Sequence, residues 1–296
     1  MKKTILILTS DPKSINSEII NKSIFFFNKN NKNNYIFIGD KEKIISPKNF
    51  RKLNFINIKN KNSDKKYLHS CFNEAFRLLK NKKADGLINL PLNKSYLAHK
   101  YPGFTEYLSD SFNLLGKESM LLFNENFSVC TNTTHIPLSR VSKKITKHII
   151  VKNIHNIHNF YKKIVGIKNP RIGVIGLNPH NGMDFRYRTE EKSIIIPILT
   201  KLRNKFNIIG PLSPDTAFNI IKKEKLNCLL GNYHDQVLPT FKYINKFNAI
   251  NITLGLPFIR ISPDHGVATN LIGKNQANPK SFLYALNFFE KFSKKI

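Results

Sequence analysis

The feature that most constrains the fold is an alternation, along most of the chain, between short apolar runs and longer segments of helical period. The short runs predict strands near 4–8, 35–38, 54–56, 86–89, 120–123, 171–175, 228–230 and 249–254. The clearest helical segments are 67–80, 190–205, 215–223 and 279–292. Strands that alternate with helices usually form a mainly parallel sheet covered on both faces. The sequence therefore predicts an α/β fold.

The length of 296 residues exceeds that of a usual single domain, which favours two joined lobes. A Thr/Asn-rich turn near 131 precedes a lysine-rich helical segment, and a second weak division falls near 246. We therefore expect a discontinuous first lobe, residues 1–130 plus 246–296, that encloses a second lobe, residues 131–245.

The strongly basic composition raises the question of a nucleic-acid partner, because the formal net charge is +29. The lysines, however, are scattered from Lys2 to Lys295 and accompany abundant Asn, Ile and Phe, as a low-GC coding bias would produce. The densest segments, 28–34 and 59–66, lack the interleaved aromatic residues of a base-stacking surface. We therefore predict that no specific nucleic acid is bound.

The cysteines and the N-terminal segment indicate the cellular compartment. Cys71, Cys130 and Cys228 are far apart and form no C-x-x-C pair, so we expect reduced core residues. The first apolar run breaks at 10–12 and has no secretory cleavage pattern. No apolar stretch approaches the ~20 residues of a membrane span. A cytoplasmic protein without a membrane partner is expected.

Three of the nine histidines lie in settings that differ from the others. His135 lies in CTNTTHIPL, His180 in GLNPHNG and His234 in GNYHDQ, each just after a predicted strand. Ligands in open α/β sheets gather beyond the carboxyl ends of strands, so these histidines could converge. Three imidazoles with an open position suit a catalytic divalent ion. Loop histidines also serve as caps or turn residues, and spacing alone leaves both interpretations open.

Longer motifs support a family resemblance, and most of them lie beyond residue 131. They are GLNPHNG at 176–182, TEE at 189–191, GPLSPDT at 210–216, YHDQVLP at 233–239, NITLGLPFIR at 251–260 and DHG at 264–266. In this order they resemble the 4-hydroxythreonine-4-phosphate dehydrogenase family. The resemblance implies an isocitrate/isopropylmalate-dehydrogenase-like fold, in which two α/β/α lobes share a mainly parallel sheet core. It also implies a homodimer whose active site, at the interface, takes ligands from both subunits.

The resemblance implies roles for individual residues. The metal ligands would be His135, His180 and His234, which would hold a divalent cation such as Zn, Mg or Co. The substrate contacts would be Thr105, Lys242, Asn251 and Arg260. A lone Lys or Arg is usually a solvated surface charge, but this arginine ends the apolar run 256–259. The guanidinium group of Arg260 and the ammonium group of Lys242 are suited to binding phosphate and carboxylate groups.

Two acidic residues and one loop complete the implied site. Asp215 and Asp235 could orient a ligand histidine or accept a proton, and the first could instead cap a helix. Residues 264–279 resemble the adenosine-binding loop of isopropylmalate dehydrogenases, which implies that His265, Gly266 and Asn278 lie near NAD or NADP. No G-x-G-x-x-G fingerprint of an ordinary Rossmann site is present.

The implied reaction is oxidation of 4-phosphohydroxy-L-threonine with NAD or NADP, followed by decarboxylation to 3-amino-2-oxopropyl phosphate, in pyridoxal 5'-phosphate biosynthesis. Two departures keep alternatives open. Where the family has a glycine-rich first loop, this chain has SDPKSIN at 10–16. Phe104 stands where the family has a histidine that contacts the substrate. Phenylalanine cannot form that hydrogen bond. The alternatives are a dehydrogenase of a phosphorylated threonate or erythronate, and an inactive scaffold of the same fold.

Overall fold

The computed structural model describes residues 2–29, 31–46, 53–61, 63–97 and 100–295. Its strands are β1 (Thr4–Leu8), β2 (Asn34–Gly39), β3 (Asn54–Asn57), β4 (Gly86–Asn89), β5 (Ser119–Phe123), β6 (Ser128–Thr131), β7 (Ile172–Ile175), β8 (Ile208–Leu212), β9 (Cys228–Gly231), β10 (Ile250–Leu254) and β11 (Ile259–Pro263). Its α-helices are α1 (Asn16–Lys22), α2 (Ile24–Phe27), α3 (Lys41–Ile44), α4 (Asp64–Lys80), α5 (Phe104–Ser111), α6 (Val141–Lys144), α7 (Lys147–Phe160), α8 (Ile196–Leu202), α9 (His234–Asn245) and α10 (Lys280–Phe292). The predicted α/β class with mainly parallel strands is confirmed.

The chain divides into two compact units, Met1–Gly116 with Phe247–Ile296 and Lys117–Lys246. The first boundary therefore falls earlier than the 130 expected from the sequence. The reason is that β5 and β6 form an antiparallel hairpin, and β6 also pairs with β9. Both strands of the hairpin are thereby held in the sheet of the second unit.

The sheet of the first unit has the strand order β3-β2-β1-β4-β11-β10, and β10 is its antiparallel strand. Strand β1 lies inside this sheet, and Ile5 to Leu8 are fully buried, as a strand covered on both faces requires. Helix α4 buries Leu68, Phe72 and Ala75 in the core of this unit. Its apolar face was visible in the sequence.

The sheet of the second unit has the strand order β5-β6-β9-β7-β8, and its last four strands are parallel. The carboxyl ends of β6, β9 and β7 therefore meet at one edge. Val129, Val174 and Leu229 fill the buried centre of these strands. All three cysteines of the chain are buried and free, as predicted. No helix in the described part of the chain is long and apolar enough to cross a membrane.

Several elements differ from the sequence prediction. Strands β6, β8 and β11 were missed, and β8 contains a Gly-Pro pair that argues against a strand. The predicted helix 215–223 is a run of turns with hydrogen bonds of mixed spacing. The predicted helix 190–205 is a π-helical turn, Glu191–Ile195, followed by α8. Pro197 provides no N–H to a continuous α-helix at this point.

Candidate active site

The three singled-out histidines of the second unit follow neighbouring parallel strands. His135 follows β6, His180 follows β7, and His234 is the first residue of α9 directly beyond β9. The rings of His135 and His234 have centroids 5.7 Å apart and are tilted by 44°. The strand order thus brings together two imidazoles that are distant in sequence.

A carboxylate holds the ring of two of these histidines. His180 Nδ1 lies 2.5 Å from Asp184 Oδ2, and His234 Nδ1 lies 2.7 Å from Asp235 Oδ1. The hydrogen bond that His180 donates to Asp184, and then the charge of Asp184, raise the pKa of His180, and the charge of Asp215 adds to the effect. A histidine held at Nδ1 offers Nε2 to a metal, which is the usual arrangement at metal sites.

The structure does not gather all three histidines in one chain. Within the described ranges, no three His, Cys, Asp or Glu side chains lie close enough together to hold a metal ion. His180 lies exposed on its own loop beside Asp215. Hydrogen bonding to the side chain of Ser213 lowers the pKa of Asp215. Because turns replace the predicted helix, Asp215 caps no helix there.

Two amide side chains, Asn232 and Gln236, cross-link the strand ends that carry the histidines, and sequence reasoning missed them. The backbone N–H of Asn232 donates to Gln236 Oε1, and Gln236 Nε2 donates to the carbonyl of Gly176. The side chain of Asn232 donates to the backbone carbonyl of Ile175, and the backbone carbonyl of Asn232 accepts from Thr133 Oγ1. Gln236 could have been found, because it lies inside the YHDQVLP motif.

Arg260 is the most deeply buried cation among the predicted site residues of the first unit. Its side chain donates from Nε to Asn89 Oδ1 at 2.6 Å, and from Nη1 to Thr253 Oγ1 at 2.9 Å and Thr105 Oγ1 at 3.1 Å. Burial lowers its pKa to about 10, although the charge of Glu106 opposes that shift. The guanidinium group therefore stays charged at neutral pH. Thr105 and Arg260, both predicted substrate contacts, are brought together.

Asn251 contributes a buried acceptor to the sheet that carries Arg260. It lies two residues before Thr253 on β10, so both side chains project from the same face. Thr253 is paired with Arg260 on β11. In the described part of the chain, Asn251 Oδ1 is buried without a hydrogen-bond partner. Buried polar atoms are rarely left unsatisfied, so this oxygen is suited to a ligand that donates a hydrogen bond.

Phe104, the first residue of α5, is a core residue. Its ring is 7% exposed and packs against Phe72 and Tyr107, with centroids 5.1 and 6.1 Å away. The Arg260 guanidinium carbon lies 5.5 Å from the same ring centroid, within the range of a cation–π interaction. Phe104 therefore supports the arginine instead of offering a polar contact.

The remaining predicted residues lie in more open positions. His265 Nδ1 lies 3.0 Å from the carbonyl of Gly266, and a side-chain carbon built at Gly266 would meet open space. Asn278 Oδ1 accepts the N–H of Lys280 at the start of α10, so this amide has a capping role. Lys242 is exposed on α9.

Helix α1 holds the loop 264–279, which sequence reasoning did not anticipate. Lys22 Nζ donates to the carbonyls of Asn275 and Ala277, and Glu18 Oε1 accepts the N–H of Ala277. The altered first loop adopts positive φ at Ser10 and at none of residues 13, 14 and 16. Within this loop, backbone strain from a side chain at positive φ is therefore confined to Ser10.

Known proteins resemble this chain in sequence over most of its length. Residues 3–289 match the family described as pyridoxal phosphate biosynthetic protein PdxA. A 4-hydroxythreonine-4-phosphate dehydrogenase of Sulfurihydrogenibium sp. (strain YO3AOP1) is 36% identical over 95% of both chains. One from Vibrio vulnificus (strain YJ016) is 41% identical over 68% of this chain and 63% of that protein.

Solved structures also resemble this chain. A putative 4-hydroxythreonine-4-phosphate dehydrogenase from Salmonella typhimurium has a TM-score of 0.81 at 25% identity, covering 99% of this chain and 100% of that one. An isocitrate dehydrogenase from Methylococcus capsulatus has a TM-score of 0.52 at 10% identity, covering 99% of this chain and 86% of that one. The second similarity concerns the fold alone, and it confirms the predicted fold class.

Proposed function

Because this chain belongs to the pyridoxal phosphate biosynthetic protein PdxA family, we propose that it oxidises 4-phosphohydroxy-L-threonine with NAD or NADP. The resulting β-keto acid loses carbon dioxide and leaves 3-amino-2-oxopropyl phosphate. The observation that carries the proposal is the buried Arg260, whose side-chain hydrogen bonds to the described residues go to the neutral groups of Asn89, Thr105 and Thr253. Glu106 acts on Arg260 only through its charge, and an anionic substrate would add the hydrogen-bonded ion pair that a buried cation requires.

The first unit offers donors and an acceptor that suit such a substrate. The bonds of Arg260 to protein use Nε and Nη1, so Nη2 is the donor that a phosphate or carboxylate oxygen would take. Asn251 Oδ1 would accept from a substrate amino or hydroxyl group. Thr105 holds Arg260. Lys242, a residue of the second unit, is likewise assigned to the anionic groups of the substrate. Residues 264–279, including His265, Gly266 and Asn278, would contact the dinucleotide.

In the second unit, we assign His135, His180 and His234 as ligands of a divalent cation. The donor set fits, because two imidazoles lie side by side and two are held at Nδ1 by carboxylates. When bound, the cation would supply Lewis-acid polarisation of the substrate oxygen, and the nicotinamide would accept the hydride. Asp235 holds one ligand ring, and Asp215 or Asp235 would take up the hydroxyl proton.

A homodimer would complete this ligand set. The three histidines do not converge within the described part of one chain, so a second copy would bring the missing imidazole. Large apolar side chains that lie within seven residues of His135 or His180 in sequence are exposed, namely Leu138 at 70%, Met183 at 63% and Tyr187 at 67%. Apolar side chains clustered on a surface often mark a protein interface.

The decisive experiment measures NADH or NADPH formation from 4-phosphohydroxy-L-threonine, with and without a metal chelator. We expect turnover that the chelator abolishes and that added Zn, Mg or Co restores. Phosphorylated threonate and erythronate are the comparison substrates, because Phe104 offers no hydrogen bond that distinguishes amine from hydroxyl. Faster turnover of either would identify the related dehydrogenase. No turnover of any of the three by folded, metal-loaded protein would contradict the proposal and indicate an inactive scaffold.

A further inference from the structure

The loop that carries His180, residues 176–182, has an unusual backbone. His180, Asn181 and Gly182 have φ values of 48°, 60° and 66°, three consecutive residues in the left-handed region. Residues other than glycine adopt this region at a cost in free energy, because Cβ approaches the backbone. Such conformations persist where the surrounding structure holds them, and they concentrate at functional sites.

The group that holds this loop is the carboxylate of Glu191, which is 0% exposed. Its Oε1 accepts the backbone N–H groups of Leu177 and Asn178, both at 2.7 Å, and its Oε2 accepts from Asn178 Nδ2 at 2.9 Å. Three donors from two successive residues thus converge on one carboxylate. Hydrogen bonds to an ionised acceptor are about twice as strong as those between neutral groups.

The glycines of the loop show how closely it fits around this carboxylate. A Cβ at Gly182 would lie 2.5 Å from Glu191 Oε2, and one at Gly176 would lie 3.3 Å from Oε1. Burial by itself would raise the pKa of Glu191, but the hydrogen bonds that the carboxylate accepts, first those from Asn178 and then others including that from Thr189, together outweigh it and the pKa is lowered. The carboxylate is therefore ionised at neutral pH inside the loop that it organises.

We infer that Glu191 is a positioning residue that fixes loop 176–182 in the conformation that presents His180 to the metal. The inference rests on the proposed function, in which His180 is a ligand. Glu191 acts through the loop backbone and does not touch the metal. The neighbouring Glu190 is the matched control. Its carboxylate accepts from the loop only the side-chain Nδ2 of Asn178, among the described residues, and it also accepts from Ser142.

The test compares Glu191→Gln with Glu190→Gln in the full-length protein, each of which replaces one carboxylate by an amide. Both variants and the unaltered protein are titrated with Co²⁺, and the visible absorption spectrum of the bound ion is recorded. Glu191→Gln should weaken Co²⁺ affinity by ~10-fold or more and change the spectrum, because the presentation of one imidazole is altered. Glu190→Gln should stay within about twofold of the unaltered protein. Thermal unfolding without metal verifies that each protein is folded.

Three results would overturn the inference. One is a folded Glu191→Gln protein with unchanged Co²⁺ affinity and spectrum. If that protein does not fold, Asn178→Ala decides, because it removes the side-chain donor and keeps both backbone donors. A loss of affinity of about threefold or more in that variant would support the inference, and a smaller loss would overturn it. The third result is an unaltered protein that binds no Co²⁺, which would also overturn the proposed metal site.

Discussion

At the scale of single residues, the function of a histidine depends on what lies around it. His135 and His234 face each other across neighbouring strand ends, whereas His158 packs against the ring of Phe206 at 5.0 Å. His135→Ala and His234→Ala should each lower bound divalent metal by at least ~10-fold, because one of three ligands is lost. Metal analysis of purified protein measures the effect, and His158→Ala is the control. Equal metal content in all four proteins would exclude the His135–His234 pair as a metal site.

Phe104 shows how an interpretation of one residue changes once its packing is known. The sequence suggests that Phe104→His would restore a substrate contact. The structure instead places the ring among Phe72 and Tyr107 and beneath Arg260. An imidazole buried there without a partner should lower the free energy of unfolding by ~1–3 kcal/mol. Denaturant unfolding tests this, with Phe104→Leu as an apolar control that should lose less stability. A Phe104→His protein as stable as the unaltered one would contradict the packing argument.

At the scale of elements, the packing of α10 on the sheet of the first unit depends on a glycine in β4. A Cβ at Gly86 would lie 2.5 Å from Phe289 Cε1 and 3.1 Å from Ile5 Cδ1. Gly86→Ala should therefore displace α10 and cost ~1–3 kcal/mol of stability through overpacking. Thermal unfolding measures the loss. Adding Phe289→Leu should recover part of it, and strictly additive losses in the double variant would show that the two residues do not compete for space.

At the scale of the whole molecule, the exposed apolar side chains beside the histidine loops predict self-association. Tyr187→Glu places a charge on this surface and should convert dimer into monomer, because a buried unpaired carboxylate is costly. Analytical ultracentrifugation measures the change, and Phe25→Glu, at a residue 52% exposed in the first unit, is the control. Monomer should also bind metal more weakly. A protein that is monomeric before any substitution would contradict the proposed homodimer.

The net charge of +29 is also a property of the whole molecule. We expect DNA and RNA to bind weakly at low salt and to dissociate as salt approaches physiological concentration, because dispersed lysines provide only counterion release. Fluorescence anisotropy across a salt series, with oligonucleotides of unrelated sequence, measures this behaviour. Tight binding that survives physiological salt and prefers one sequence would contradict it.

Much of the architecture was determined by local sequence pattern. The apolar runs of β1 and β4 matched their strand boundaries residue for residue, and the apolar face of α4 gave a helix whose end was also correct. These elements bury long apolar side chains with a clear period, so local propensity and tertiary packing agree. The motifs that carry His180 and His234 were likewise enough to identify the family.

Only the tertiary structure decided which residues meet. No local sequence pattern shows that Arg260 contacts Asn89 and Thr105, because neighbouring strands and α5 bring these residues together. The burial of Glu191 inside loop 176–182 could not be predicted from the sequence either, because Thr-Glu-Glu is typical of the polar start of a helix. Strand β8 was missed because its Gly-Pro pair argues against a strand, and β11 pairs not only with the adjacent β10 but also with β4, which is distant in sequence. A hydrogen-bond partner across a sheet is set by register and strand order, which short-range patterns do not encode.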